Sequence, residues 1–217
     1  MKAYKTNLIL IFLLLGISPW AFSASAEMSS KHLRLVKDLM NNNLAYSQDA
    51  TTTNIIEWEE EIVDSLRQKK DYRNMFLMKQ MAVYAYSLQA KISEALKKAD
   101  AMMDEARLMK YNIGISLSYQ ALGDIYLNAG MRPEAVEEYE KAMKTLQATP
   151  HAEKIQERIF IQLVPTLIKL KRMDEAKAYL EHMSEICESK CLSPFLLYAY
   201  HAYYYLRNND LSKAREY

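Results

Sequence analysis

The sequence predicts an all-α chain built from repeated helical hairpins, and three observations carry that prediction. Glycine (four) and proline (five) are too scarce among 217 residues for the many tight turns of an all-β fold. Leu, Ala, Met, Glu and Lys are abundant, and these side chains lose little rotamer freedom in a helix. Apolar residues recur on a helical period, with a fixed offset across each turn and an interval of about 40 residues between units. Half of the residues are hydrophobic and a quarter charged, enough to bury a core.

The chain opens on a segment that stands outside this fold. Lys2 and Lys5 precede an apolar run from Leu8 to Ile17, followed by Pro19 and small residues at Ala24 and Ala26. This is the layout of a secretory signal over residues 1–26, cut after Ala26. The run is short of the roughly 20 residues that cross a bilayer, so an anchor helix is disfavoured. With no cysteine after the run, a lipoprotein is disfavoured too. The expected location is therefore periplasmic or secreted. Without Lys2 and Lys5 the chain has 26 basic against 27 acidic residues, so no overall basic field attracts a polyphosphate backbone, and nucleic acid is not an expected partner. The longest later apolar stretch, Phe195 to Leu206, contains a histidine and several tyrosines and is too short to span.

Residues 27–70 form the first and weakest unit, in which Tyr46 stands nine residues before Ile55. The same nine separate Tyr86 from Ala95, Tyr126 from Ala135, Leu167 from Ala176 and Tyr205 from Ala214. The second anchors of these pairs follow one another at 40, 40, 41 and 38 residues. Stacked hairpins require this pattern: the turn inside a pair is uniform, and the link between pairs absorbs length.

The stretch from Ser118 to Met143 is the clearest unit. Ile115, Tyr119, Leu122 and Tyr126 make one apolar stripe; Ala135, Val136, Tyr139, Ala142, Met143 and Leu146 make a second. Between them Gly130 suits a left-handed residue closing the first helix, and Pro133 suits the first turn of the next. Gly123 falls mid-helix, where glycine costs ~1 kcal/mol against alanine. A packing role is expected for it: with Ala135, it lets the two helix backbones approach.

At these positions the chain resembles the tetratricopeptide repeat. Tyr119, Leu122, Gly123, Tyr126, Ala135, Tyr139 and Ala142 fill all seven positions of that family's pattern. Other units match less fully: Phe160, Leu163, Ala176 and Leu180 in one, Tyr198, Ala202, Tyr205 and Ala214 in another. Lys79 and Val83 depart from the pattern, as do Asn42 and Asn43 in the first unit, which reads as a degenerate hairpin or cap over 27–70. The units exceed the family's period of ~34 residues by about six. The resemblance implies a right-handed superhelical solenoid of about five hairpins, with residues 71–217 as the repeats and the last one truncated. A solenoid normally ends in a polar capping helix, and the stretch from Asp210 to Tyr217 is too short for one. The expectation is that these residues begin a longer protein.

Little in the sequence points to catalysis. His32, His151, His182 and His201 are scattered, without the helical spacing of a metal site, and His201 is expected to be packed. No phosphate-binding glycine loop or nucleophile elbow occurs. The carboxylate-rich runs at 57–61 and 134–141 read as solvated faces. No enzyme activity, metal or cofactor is expected. Cys187 and Cys191 are the two cysteines: an oxidising compartment favours a disulfide, and their spacing near a helix end opposes it, so both states stay open. Among the tyrosines near the C-terminus, Tyr198 and Tyr205 are expected in the core; Tyr200, Tyr203 and Tyr204 stay open.

The resemblance also implies a concave binding face lined by first-helix residues. In this chain those are Gln80, Tyr84, Gln120, Asp124, Asn128, Arg158, Ile161, Lys169, Tyr203 and Arg207. Their amide, aromatic and charged groups suit an extended peptide. Gln80 and Tyr84 do not match the carboxylate clamp of the chaperone-binding members. The implied function is a non-catalytic scaffold that binds a protein or peptide in the periplasm. The alternative is the extracytoplasmic sensor region of a longer histidine kinase or transcriptional regulator, membrane-anchored beyond Tyr217.

Overall fold

A computed structural model describes residues 48–190 and 194–217. The expected signal at 1–26, the Tyr46 part of the first unit and Cys191 lie outside the described residues, as does the side chain of Cys187. The cysteine pair is therefore not described. All regular structure among the described residues is helical: α1 (Gln48–Gln68), α2 (Tyr72–Leu88), α3 (Ile92–Leu108), α4 (Asn112–Asn128), α5 (Arg132–Leu146), α6 (Glu153–Lys169), α7 (Met173–Lys190), α8 (Pro194–Arg207) and α9 (Leu211–Ala214).

A single backbone device makes most of the turns. Lys70, Ala90, Lys110, Gly130, Lys171 and Asn209 each take a left-handed conformation, with φ between 52° and 80°. The next amide then donates back to a carbonyl five residues earlier: Asp71 N to Leu66 O at 2.9 Å, Lys91 N to Tyr86 O at 3.0 Å, Tyr111 N to Ala106 O at 2.9 Å and Met131 N to Tyr126 O at 2.9 Å. The α6–α7 and α8–α9 turns repeat it from Arg172 to Leu167 O and from Asp210 to Tyr205 O. This is a Schellman closure. The donating residue also opens the next helix, since the Asp71, Lys91, Tyr111 and Met131 carbonyls accept its first hydrogen bonds. One residue thus ends one helix and starts another, leaving a connector of three residues.

That device corrects one expectation. The links between pairs at Lys70 and Lys110 are as short and uniform as the turns inside pairs at Ala90 and Gly130. The α5–α6 connection, residues 147–152, is longer. A closure made only of backbone bonds does not depend on which helices it joins, and α2, α3 and α4 are each 17 residues long.

Each helix packs on its chain neighbour, and α2 also lies against α4, α4 against α6, and α6 against α8. The α5 stripe is as expected: Ala135, Val136, Tyr139, Ala142, Met143 and Leu146 are its buried residues. The α4 stripe needs correction. Ile115, Tyr119, Leu122 and Tyr126 are only partly buried, while Ile113, Leu117, Ala121 and Ile125 are buried, together with Ser116, Ser118, Gln120 and Asp124. Helices α2, α3, α5 and α6 pack against α4, and the expected stripe falls on its least buried side. Lys79 and Val83 find places in this packing: Val83 is buried, and Lys79 pairs with Glu105 of α3.

Gly123 serves close packing through a different neighbour than expected. A Cβ built there would lie 2.5 Å from Cε1 and 2.7 Å from Cδ1 of Tyr139. The glycine makes room for a ring, not for a helix backbone.

Pro165, inside α6, removes the amide that would donate to the Ile161 carbonyl one turn earlier. The Tyr200 hydroxyl of α8 donates to that carbonyl at 3.2 Å and so replaces the missing bond. Of the C-terminal tyrosines, Tyr204 is buried and Tyr205 half-buried, whereas Tyr198 is 52% exposed and leaves the expected core. His201 is half-buried as expected: it stacks on Tyr217 with centroids 4.7 Å apart and meets the Ser184 hydroxyl at 3.1 Å. The 57–61 run is not wholly solvated, because Glu59 is buried and pairs with Lys98.

Candidate functional site: the first-helix polar face

The residues expected on a binding face come from four helices, α2, α4, α6 and α8, and the structure joins one member from each of the first three. Gln80 lies near the middle of α2, Asp124 in the last turns of α4, and Arg158 in the first half of α6. Gln80 Nε2 donates to Asp124 Oδ2 at 2.7 Å, and Arg158 Nη2 donates to Gln80 Oε1 at 3.0 Å. The Tyr139 hydroxyl reaches in from α5 and donates to Asp124 Oδ1 at 2.7 Å. Residues up to 78 positions apart thus share one hydrogen-bonded chain.

This cluster is enclosed. Gln80, Gln120 and Asp124 are each 4% exposed and Arg158 is 8% exposed. Burial therefore dominates its electrostatics. It pushes the Asp124 carboxyl up to about 6, against the opposing effects of the Tyr139 and Gln80 hydrogen bonds and the Arg158 charge. Burial and then the Asp124 charge hold the Tyr139 hydroxyl far above its usual range. Burial draws the Arg158 guanidinium down to about 10; the nearby Arg73 charge pulls the same way, and Asp124 opposes both. Gln120 Oε1 and Arg73 Nη2 are buried with no hydrogen-bond partner among the described residues.

The rim is more open. Tyr84 is 37% exposed, and burial followed by the Asp124 charge raises its hydroxyl pKa. Asn128 is exposed at the end of α4, where its Nδ2 donates to Ser87 Oγ at 2.8 Å. Ser87 in turn donates to the Tyr84 carbonyl at 2.8 Å. Lys169 and Arg207 are exposed and Tyr203 half-buried; no hydrogen bond or ion pair among the described residues joins them to the cluster. The Ile161 carbonyl is engaged by Tyr200.

Sequence reasoning placed Tyr139 among the repeat positions and overlooked its second role, as donor to the buried carboxylate. A tyrosine amid the alanines of α5, opposite a mid-helix glycine, was the available signal. Ser87 and Tyr200 carried none, because each bonds a partner on another helix, and neither did Arg73, whose charge acts on Arg158 of α6. Among the described residues no group of three or more His, Cys, Asp or Glu is placed to share a metal ion, and no helix is long and apolar enough to cross a membrane. No family model and no curated protein matches the chain.

Proposed function

We propose that the chain is a tetratricopeptide-like solenoid, exported to the periplasm, that holds a protein or an extended peptide against its first-helix face without catalysing a reaction. One observation carries this reading: α2, α4 and α6 lie side by side, and their polar side chains meet across all three helices. The open rim of such a face offers donors and acceptors to an extended ligand, the mode by which main chains and alternating side chains are read. Enclosed Gln80, Asp124 and Arg158 stiffen the floor, while Tyr84 and Asn128 stand at the rim within reach of a partner.

Photocrosslinking in the producing cell tests the reading. A benzophenone side chain at Tyr84 or Asn128 is expected to form a defined adduct on irradiation, and one at exposed Ala101 of α3 is not. Equal labelling at all three positions, or none at Tyr84 and Asn128, would overturn the assignment of the face. The size of the immunoblotted protein in the same fractions separates a free adaptor from the sensor region of a longer receptor.

A further inference from the structure

Each described connector reverses the chain, so alternate connectors come to the same end of the molecule. Contacts between them confirm the grouping. Arg67 at the end of α1 pairs with Glu105 at the end of α3 at 3.0 Å, and Asn112 at the start of α4 meets Thr149 after α5 at 3.5 Å. The connectors at 69–71, 109–111 and 147–152 therefore form one edge. Those at 89–91, 129–131, 170–172 and 208–210 form the opposite one.

The two edges differ in charge. Counting each described connector with four helical residues on either side, the first edge holds eight Lys and Arg against three acids, and the opposite edge seven against five. Two of the three acids of the first edge are committed, since Asp71 caps α2 and Glu105 is held by Arg67 and Lys79. Six of its cations, Lys69, Lys70, Arg107, Lys110, Lys144 and Lys154, are exposed and make no ion pair among the described residues. Between Arg107 and Lys110 stands Leu108, 85% exposed, more than any other large hydrophobic residue among those described.

We infer that this edge docks on an anionic phospholipid bilayer, with the cations at the headgroups and Leu108 entering the acyl boundary. A near-neutral chain gains nothing from its overall charge at such a surface, but attraction falls off within a Debye length, so the local edge decides. An acidic protein would satisfy the cations as well. The exposed leucine in their midst favours lipid, since an apolar side chain flanked by basic ones is the pattern of interfacial binding. Docked this way, the helices stand on the membrane by one set of turns, and the first-helix face runs upward from it.

Sedimentation with vesicles of phosphatidylglycerol and phosphatidylcholine, using protein from cells expressing the full chain, tests the inference. Pure phosphatidylcholine vesicles report any contribution of the Leu8–Ile17 segment. Binding to the anionic vesicles is expected at low salt and is expected to weaken as salt rises. Changing Lys69, Lys70 and Lys110 together to Glu is expected to lower the partition by about a hundredfold or more, at roughly fivefold per charge removed. The matched reversal of Lys91, Arg132 and Lys171 on the opposite edge is expected to leave it within about twofold. Leu108→Ala is expected to weaken vesicle binding severalfold and to leave binding to soluble polyglutamate unchanged. Helicity of every variant is read in parallel. No selective binding to anionic vesicles, equal loss from both edges, or an unaltered Leu108→Ala partition would each overturn the inference. Binding to polyglutamate without binding to vesicles would assign the edge to an acidic protein instead.

Discussion

The Tyr139 hydroxyl meets the Asp124 carboxylate at 2.7 Å while the Tyr139 ring occupies the space a Cβ on Gly123 would need. Adjacent residues of α4 thus hold the two ends of one side chain from α5. The missing side chain admits the ring, and the carboxylate takes its hydroxyl. A packing feature and a polar feature that look separate in the sequence are one structure.

Gly123→Ala is therefore expected to destabilise, although alanine is the better helix former by ~1 kcal/mol. The added carbon would sit 2.5 Å from the ring edge, and moving the ring would also pull the hydroxyl from Asp124. A net loss of about 1–3 kcal/mol is expected, a fall in Tm of several degrees for a chain of this size. Thermal unfolding followed by circular dichroism measures it; an unchanged or higher Tm would refute the role given to Gly123.

The enclosed Asp124 gives stability an inverted pH dependence. Its carboxyl is raised from 3.8 to about 6 in the fold, so the native state binds the proton more tightly than the unfolded chain. Its contribution is present in full below pH ~4 and is lost as pH rises through ~6, by about 3 kcal/mol in all. His201 opposes it: burial lowers its pKa, so its contribution is full above ~6.5 and is lost on acidification. The comparison that isolates Asp124 is Tm at pH 5 and pH 7.5 for the parent and for Asp124→Asn. Stability of the parent relative to Asp124→Asn is expected to be greater at pH 5. An identical pH dependence in the two would show that Asp124 does not titrate in this window.

Tyr200 and Pro165 are coupled through a carbonyl that neither residue carries. Tyr200→Phe strips the Ile161 carbonyl of its donor, at an expected cost of about 1–3 kcal/mol. In a Pro165→Ala background the restored backbone amide supplies a donor, and the same change is expected to cost less. A double-mutant cycle reads the difference, and additivity within about 0.5 kcal/mol would break the link.

The left-handed turn residues hold strain that glycine would relieve. Ala90 and Lys110 stand at φ 57° and 52°, where a Cβ crowds the following carbonyl. Ala90→Gly and Lys110→Gly are each expected to raise stability by up to ~1 kcal/mol, and Gly130→Ala, at φ 80°, to lower it. Unfolding in urea gives all three, and the opposite signs are the check.

Local chemistry made much of this legible in advance. Composition pointed to helices; the offset of nine residues located the turns inside pairs; and Gly130 and Pro133 marked the turn between α4 and α5, where Gly130 is left-handed and Pro133 falls in the first turn. The turns at Lys70, Ala90 and Lys110 have the same geometry without a glycine to announce it. A Schellman closure is made by the backbone, so a side chain can tolerate it without advertising it.

By itself the sequence determined the helical character of the described residues, the buried stripe of α5 and the helices that carry the polar cluster, because these depend on spacing along one helix. Tertiary structure alone decided that α4 buries polar as well as apolar residues, that Tyr139 rather than a helix backbone fills the space beside Gly123, and that Gln80, Asp124 and Arg158 meet. It also decided which turns share an edge. Those outcomes depend on residues 15 to 78 positions apart, brought within hydrogen-bond range by the stacking of helices. A helical period records which way a side chain points, but not what stands opposite it.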